Sequence, residues 1–185
     1  VTVATIDSGI SNSADVMVKG QVTMIGGTTA DDYGHGSHIA GIVNGNSNLA
    51  ANSGSNYAGM ARQAFVLSVK VLDAQGKGTT SGVLAGLDWV LQNRSSYNTR
   101  IVNMSLGAPA LETYKTDPLC QATKRLYDAG LIVVASAGNT GKSAAGAKVY
   151  GTVTSPGNSP WVITVGASDD RGTAKRSDDL VATYS

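Results

Sequence analysis

The side chains able to do chemistry in this sequence cluster just after runs that read as β-strands. Asp7 closes the run Val1–Ile6 and lies in I-D-S-G-I. His35 and His38 share the segment G-H-G-S-H-I-A-G. Gly76, Lys77 and Gly78 follow the run Phe65–Leu72, Ser105, Leu106 and Gly107 follow Ile101–Met104, and Asn139 follows Leu131–Ala135 in S-A-G-N-T-G. A neutral imidazole held by a buried carboxylate is a general base. Asp7 and His35 are therefore the pair of interest. Asp7 alone reads first as a turn or helix-cap aspartate, so its functional reading requires the partner. The glycines beside His35 are expected to let a substrate backbone approach closely. His38, one helical turn further on, reads as a packed, hydrogen-bonded histidine.

Several elements must position these groups. The other strand candidates are Val22–Ile25 and Val162–Val165. Most of the runs are continuously apolar, as suits strands buried on both faces of a parallel sheet. Residues 80–93 place Val83, Leu84, Leu87, Val90 and Leu91 on one helical stripe. Residues 118–129 start at Pro118, turn Leu119, Ala122 and Leu126 inward, and stop at Gly130. A shorter helix is expected from His35 to about Val43. Strands alternating with helices predict a doubly wound α/β fold, mostly parallel, with helices on both faces. In such a sheet ligands bind beyond the carboxyl ends of the strands, where the candidate residues stand. Asn44–Tyr57 is polar and reads as a surface loop.

Composition narrows the function. The chain has 185 residues and a net charge of +1, from 14 Lys+Arg against 13 Asp+Glu, so no strong field points at nucleic acid or an anionic membrane. No apolar run approaches the ~18 residues of a membrane span. Hydrophobic residues make up 42% and charged residues 15%, which excludes a disordered chain. The single cysteine allows no intramolecular disulfide. Residues 1–185 read as one domain. Val1–Ile6 reads as a strand rather than a leader, and Asp178–Ser185 opens a further apolar segment without closing it, so a domain that is incomplete at its C-terminal side is expected.

Taken as a set, I-D-S-G-I, G-H-G-S-H-I-A-G, N-M-S-L-G and S-A-G-N-T-G occur in an order that resembles the subtilisin-like serine proteases. V-K-V-L-D-A-Q-G-K-G and S-P-G-N-S-P-W-V-I-T-V-G-A resemble further stretches of that family, so the likeness covers essentially the whole chain. The resemblance implies peptide hydrolysis by a Ser-His-Asp triad through an acyl-enzyme. Asp7 then matches the triad aspartate, His35 the general base, and Asn139 the side-chain donor to the oxyanion. Ser105, Leu106 and Gly107, with Gly76, Lys77 and Gly78, match the two segments that flank an extended peptide. The resemblance also implies secretion, polypeptide substrates and a monomer. No cofactor is implied, although family members often carry a structural calcium. The oxygen-rich residues Asn44–Asn56 offer ligands for one, but no family calcium motif maps onto them.

One family block is missing. The nucleophile of these proteases lies in G-T-S-M-A, and the chain contains no such block. Gly78-Thr79-Thr80-Ser81-Gly82 is superficially similar, but it matches the opening of the central helix, so Ser81 reads as a helix-start residue. A base with nothing to activate does not turn over. These 185 residues are therefore expected to be inactive alone.

Other classes remain to be weighed. A peptide-binding pseudoenzyme would keep the cleft without turnover. Gly76–Ser81 imitates a dinucleotide fingerprint but lacks its third glycine and its distal acid. Ser136–Ser143 approaches a phosphate-binding loop, with Ser136 in place of its first glycine and a poor helix former behind it. Asp31, Asp32, His35 and His38 place four potential metal ligands within eight residues, but no further histidine completes a zinc shell. Asp31 and Asp32 read instead as a solvated acidic loop. Cys120 reads as a small buried hydrophobe.

Overall fold

The computed structural model describes residues 1–48 and 57–185. Strands β1 (Thr2–Asp7), β2 (Val18–Thr23), β3 (Phe65–Lys70), β4 (Thr99–Met104), β5 (Ile132–Ser136) and β6 (Ile163–Val165) form one sheet in the order β2-β3-β1-β4-β5-β6. Every neighbouring pair in it is parallel. Helices α1 (His35–Asn44), α2 (Thr80–Asn93) and α3 (Pro118–Asp128) connect β2 to β3, β3 to β4 and β4 to β5. A two-stranded antiparallel ribbon, β7 (Ser168–Asp169) with β8 (Leu180–Val181), follows.

The helices begin where their caps dictate. Thr79 Oγ1 accepts from the Gly82 amide at 3.1 Å and starts α2, whose Val83, Leu87 and Val90 are buried. The Asp117 carboxylate accepts from the Cys120 amide at 3.0 Å ahead of Pro118 and starts α3, which buries Leu119, Ala122 and Leu126. Gly130 ends that helix with φ +83°, a value that a Cβ would oppose.

Alternation along the strands assigns the faces. Ala4 and Ile6 of β1, Leu67 and Val69 of β3, Val102 and Met104 of β4, and Val133 and Ala135 of β5 share one core with α2 and α3. Each of these aliphatic side chains larger than alanine contributes about 1.5–3 kcal/mol by burial. Val66 of β3 points the other way and packs with Ile10 and with Ala40 and Val43 of α1. Helices thus cover both faces. The steps from β2 to β3 and from β3 to β4 run in the same direction across the sheet, yet α1 and α2 lie on opposite faces. The two crossovers therefore have opposite hands, although parallel crossovers are right-handed in about 98% of cases. The result is that α1 starts at the carboxyl end of β1, on the face toward which Asp7 points.

Some boundaries differ from the sequence expectation. β2 covers Val18–Thr23 rather than Val22–Ile25, because an edge strand tolerates the half-polar run V-K-G-Q-V-T. β1 is buried throughout, as expected, but β6 is exposed at all three positions. On the α1 side, nothing among the described residues covers the half of the sheet formed by β4, β5 and β6, and Ile132, Ile163 and Val165 are half exposed there. Asn44, read as part of a loop, ends α1. It is fully buried and donates to the carbonyls of Met17 and Ala64 at 3.1 and 2.9 Å. Residues 49–56 of the expected loop, including half of its candidate calcium ligands, lie outside the described residues.

Candidate active site

Asp7 is the last residue of β1 and pairs in register with Lys70 of β3. His35 is the first residue of α1. His35 Nδ1 and Asp7 Oδ1 lie 2.8 Å apart, with the imidazole 38% exposed and the carboxylate 2%. A carboxylate has no proton to give, so Nδ1–H donates, and in a neutral imidazole the lone pair is then on Nε2. The Ser8 amide also donates to Asp7 Oδ1 at 2.8 Å and fixes the carboxyl. Such an arrangement can serve as a general base with its orienting carboxylate.

The start of α1 is held by a group that the sequence reading left in solvent. The helix cap, Gly34, has φ +96° and no side chain, so Asp31 caps from outside. Asp31 Oδ1 accepts from the amides of Tyr33 and Gly34 and from Ser8 Oγ, and its Oδ2 accepts from the amide and hydroxyl of Ser37. Burial opposes the charge on Asp31. The bonds from the Ser37 hydroxyl, the Gly34 and Ser37 amides and the Ser8 hydroxyl outweigh it and hold the carboxyl below the usual carboxylate range. Behind the loop, Lys70 is buried and donates to the Ala30 carbonyl at 2.5 Å and to Asp32 Oδ2 at 3.0 Å. Gly36 corrects a further expectation. A Cβ there would collide with the Gly9 carbonyl oxygen, so this glycine admits the chain after β1 rather than a substrate. His38 is exposed rather than packed.

A cleft of about 530 Å³ opens beside the imidazole. His35 and Tyr33 stand at its edge, Gly76, Lys77 and Gly78 line one flank, and Ser105, Leu106 and Gly107 line another. The structure thus brings both expected flanking segments to one hollow with the histidine. Neither Gly78 nor Gly107 uses its amide or carbonyl in the loop hydrogen bonds of the described residues, so both remain open to an extended chain. Gly76 has φ +70° and lies under the Tyr33 ring, which would meet any Cβ there. Tyr33 is thus a wall residue that the sequence reading missed. Its only signal was an aromatic two positions before His35.

Asn139 lies exposed beyond β5 and does not line this cleft. The segment before it is anchored by Ala137, whose amide donates to the Val165 carbonyl at 2.8 Å and whose carbonyl accepts from Thr154 at 3.0 Å. Thr154 packs against both Gly107 and Gly138, where a Cβ on either would strike it, and so ties the second flank to the Asn139 loop. Sequence reasoning gave Thr154 no role, because its partners are distant glycines. Cys120 is buried as expected, but its thiol also faces Asn158 Oδ1 at 3.2 Å, and burial pushes its pKa up.

The competing readings meet physical obstacles. Residues 137–147 after β5 form turns and a bridge between Lys142 and Lys148, so no helix N-terminus follows that strand to hold a phosphate. Ser81 sits in the first turn of α2, within 3.0 Å of Thr79 Oγ1, at a helix start as read. Both oxygens of Asp31 are occupied by donors, Asp32 is engaged by Lys70 and Nδ1 of His35 by Asp7, and among the described residues no three His, Cys, Asp or Glu side chains converge to hold a metal ion.

Comparison with known proteins bears on the whole chain. The Subtilase family (peptidase S8) matches residues 1–185. The chain belongs to the subtilases. Serine protease AprX of Bacillus subtilis is 39% identical over all of this subtilase chain and 42% of its own length. Subtilisin DY of Bacillus licheniformis is 36% identical over 91% of this chain and 57% of its own. The crystal structure of a cold-adapted subtilisin-like serine proteinase superposes with a TM-score of 0.73 at 28% identity, over 99% of this chain and 57% of that one. This subtilase chain therefore spans about half the length of the relatives it matches.

Proposed function

We propose that the chain is the Asp- and His-bearing part of a serine endopeptidase. The single observation that carries this reading is the 2.8 Å contact of His35 with the buried Asp7 at the mouth of a peptide-sized cleft. A serine hydroxyl presented to His35 Nε2 would lose its proton as it attacks the scissile carbonyl. The imidazolium formed is stabilised by Asp7 and then protonates the leaving amine. Water repeats the sequence to free the acyl-enzyme. Asn139 is proposed to donate to the oxyanion, and residues 76–78 and 105–107 to pair with the substrate backbone. This chemistry draws on side chains and water and requires no cofactor. Both flanks of the cleft come from one chain, which fits a monomer acting on polypeptides, and an extracellular location is proposed with it.

Among the described residues, no hydroxyl or thiol hydrogen-bonds to His35 Nε2, and the sequence has no G-T-S-M-A block. These 185 residues alone are therefore proposed to lack turnover. A peptidase assay on the purified chain tests this: no hydrolysis above a His35→Ala control is expected. Robust hydrolysis that this substitution abolishes would show that the nucleophile is already present. The same missing partner favours, as a second reading, a cleft that binds peptides without cleaving them. Saturable peptide binding by a complete protein that never turns over would select that reading.

A further inference from the structure

Resting on the proposed role of His35, we propose that Asp31 is a second positioning carboxylate of the site, acting on His35 through Ser8 and Asp7. The Ser8 hydroxyl is the link. Its oxygen accepts from the Gly36 amide at 2.9 Å, lies 2.8 Å from Asp31 Oδ1, and lies 3.3 Å from Asp7 Oδ1. It has one proton to donate. The shorter contact gives that proton to Asp31, so Asp7 Oδ1 is left to His35 and the Ser8 amide. Asp31 thus keeps a competing donor away from Asp7 and adds a negative charge one hydroxyl away from it. Both effects favour the protonated imidazole, the form His35 takes when it accepts a proton from a nucleophile.

The surrounding charges do not duplicate this role. Asp7 comes from β1. Asp32 is engaged by Lys70 of β3, which also donates to the Ala30 carbonyl. Tyr33 stands beside the ring, at 6.4 Å between centroids. On the far flank Lys77 lines the cleft, and Asp73 is taken up by the amides of Gln75 and Lys77. His38 is exposed on α1. Asp31 is the carboxylate joined to Asp7 by a shared hydroxyl.

The test is an NMR titration of the His35 imidazole in the chain as it stands, with His38 as internal reference. In Asp31→Asn, the imidazole is expected to bind its proton about threefold more weakly, read as a midpoint about 0.5 pH unit lower. Ser37→Ala, which removes a bond to Asp31 but keeps its charge, is expected to leave the midpoint in place. A midpoint that stays or rises in Asp31→Asn overturns the inference, as does an equal shift in both variants, which marks a purely structural role. Should Asp31→Asn not fold, Asp31→Ser supplies a neutral capping group and the same reading. Asp7→Asn separates this inference from the one beneath it. If Asp7→Asn leaves the His35 midpoint unchanged, the proposed pair itself fails. If Asp7→Asn moves it and the neutral Asp31 variants do not, only the role of Asp31 falls.

Discussion

At Asp31 the balance of forces predicts how the fold responds to acid. Its carboxyl is held below the usual range because hydrogen bonds overcome the cost of burial. The folded chain therefore binds this proton less readily than the unfolded chain. The stabilisation is fully present above the unfolded value of about 3.9 and is lost as pH falls through the lower folded value. The advantage of wild type over Asp31→Asn in Tm should accordingly shrink as pH is lowered from 5 to 2. A gap of constant size across that range would mean that the carboxyl is not depressed. The sequence concealed this role. The partners of Asp31 are backbone amides and two hydroxyls drawn from separate segments, and nothing in T-A-D-D-Y-G distinguishes such an aspartate from a solvated one. Lys70 was concealed in the same way, since a lysine closing a strand is ordinarily exposed, and only the fold brings Ala30 and Asp32 over it. Asp7 and His35 stood out because Asp7 closes an apolar run, His35 opens a helix in a glycine-flanked motif, and one family places both motifs in this order.

The placement of α1 decides whether Asp7 and His35 meet. Gly36 lets the first turn of this helix lie on the chain after β1, where a Cβ would meet the Gly9 carbonyl and the Asp7 side chain. Gly36→Ala must push the helix away. A loss of about 1–3 kcal/mol is expected in denaturant unfolding, together with loss of the low-field Nδ1 proton signal of His35. A variant with unchanged stability and an intact signal would show that α1 docks with slack. Strand and helix types were readable from apolar runs and the 3.6-residue stripe, which explains why β1, β3, α2 and α3 emerged close to their observed positions. β2 was misplaced because an edge strand need not be apolar. The opposite hand of the two crossovers left no trace in the sequence, since hand is a property of how elements stack and not of any residue within them.

On the scale of the whole molecule, the open half-face is the clearest liability. A parallel sheet is ordinarily covered on both sides. Here α1 packs on β1 and β3, while Ile132, Ile163 and Val165 are left half exposed over β5 and β6. The 185-residue chain is expected to bind a hydrophobic dye and to self-associate, and the triple variant Ile132→Thr, Ile163→Thr, Val165→Thr should reduce both. Dye binding that is equal in the triple variant would place the exposed surface elsewhere. The central claim, that Asp7 and His35 are the acid and base of a peptidase, has a more direct test. The chain would be joined to the remaining length of AprX, its relative at 39% identity, and assayed for peptide hydrolysis with and without His35→Ala. Hydrolysis by the joined protein is expected, with a loss of several orders of magnitude in kcat when the imidazole is removed. Equal turnover by the two proteins would contradict it.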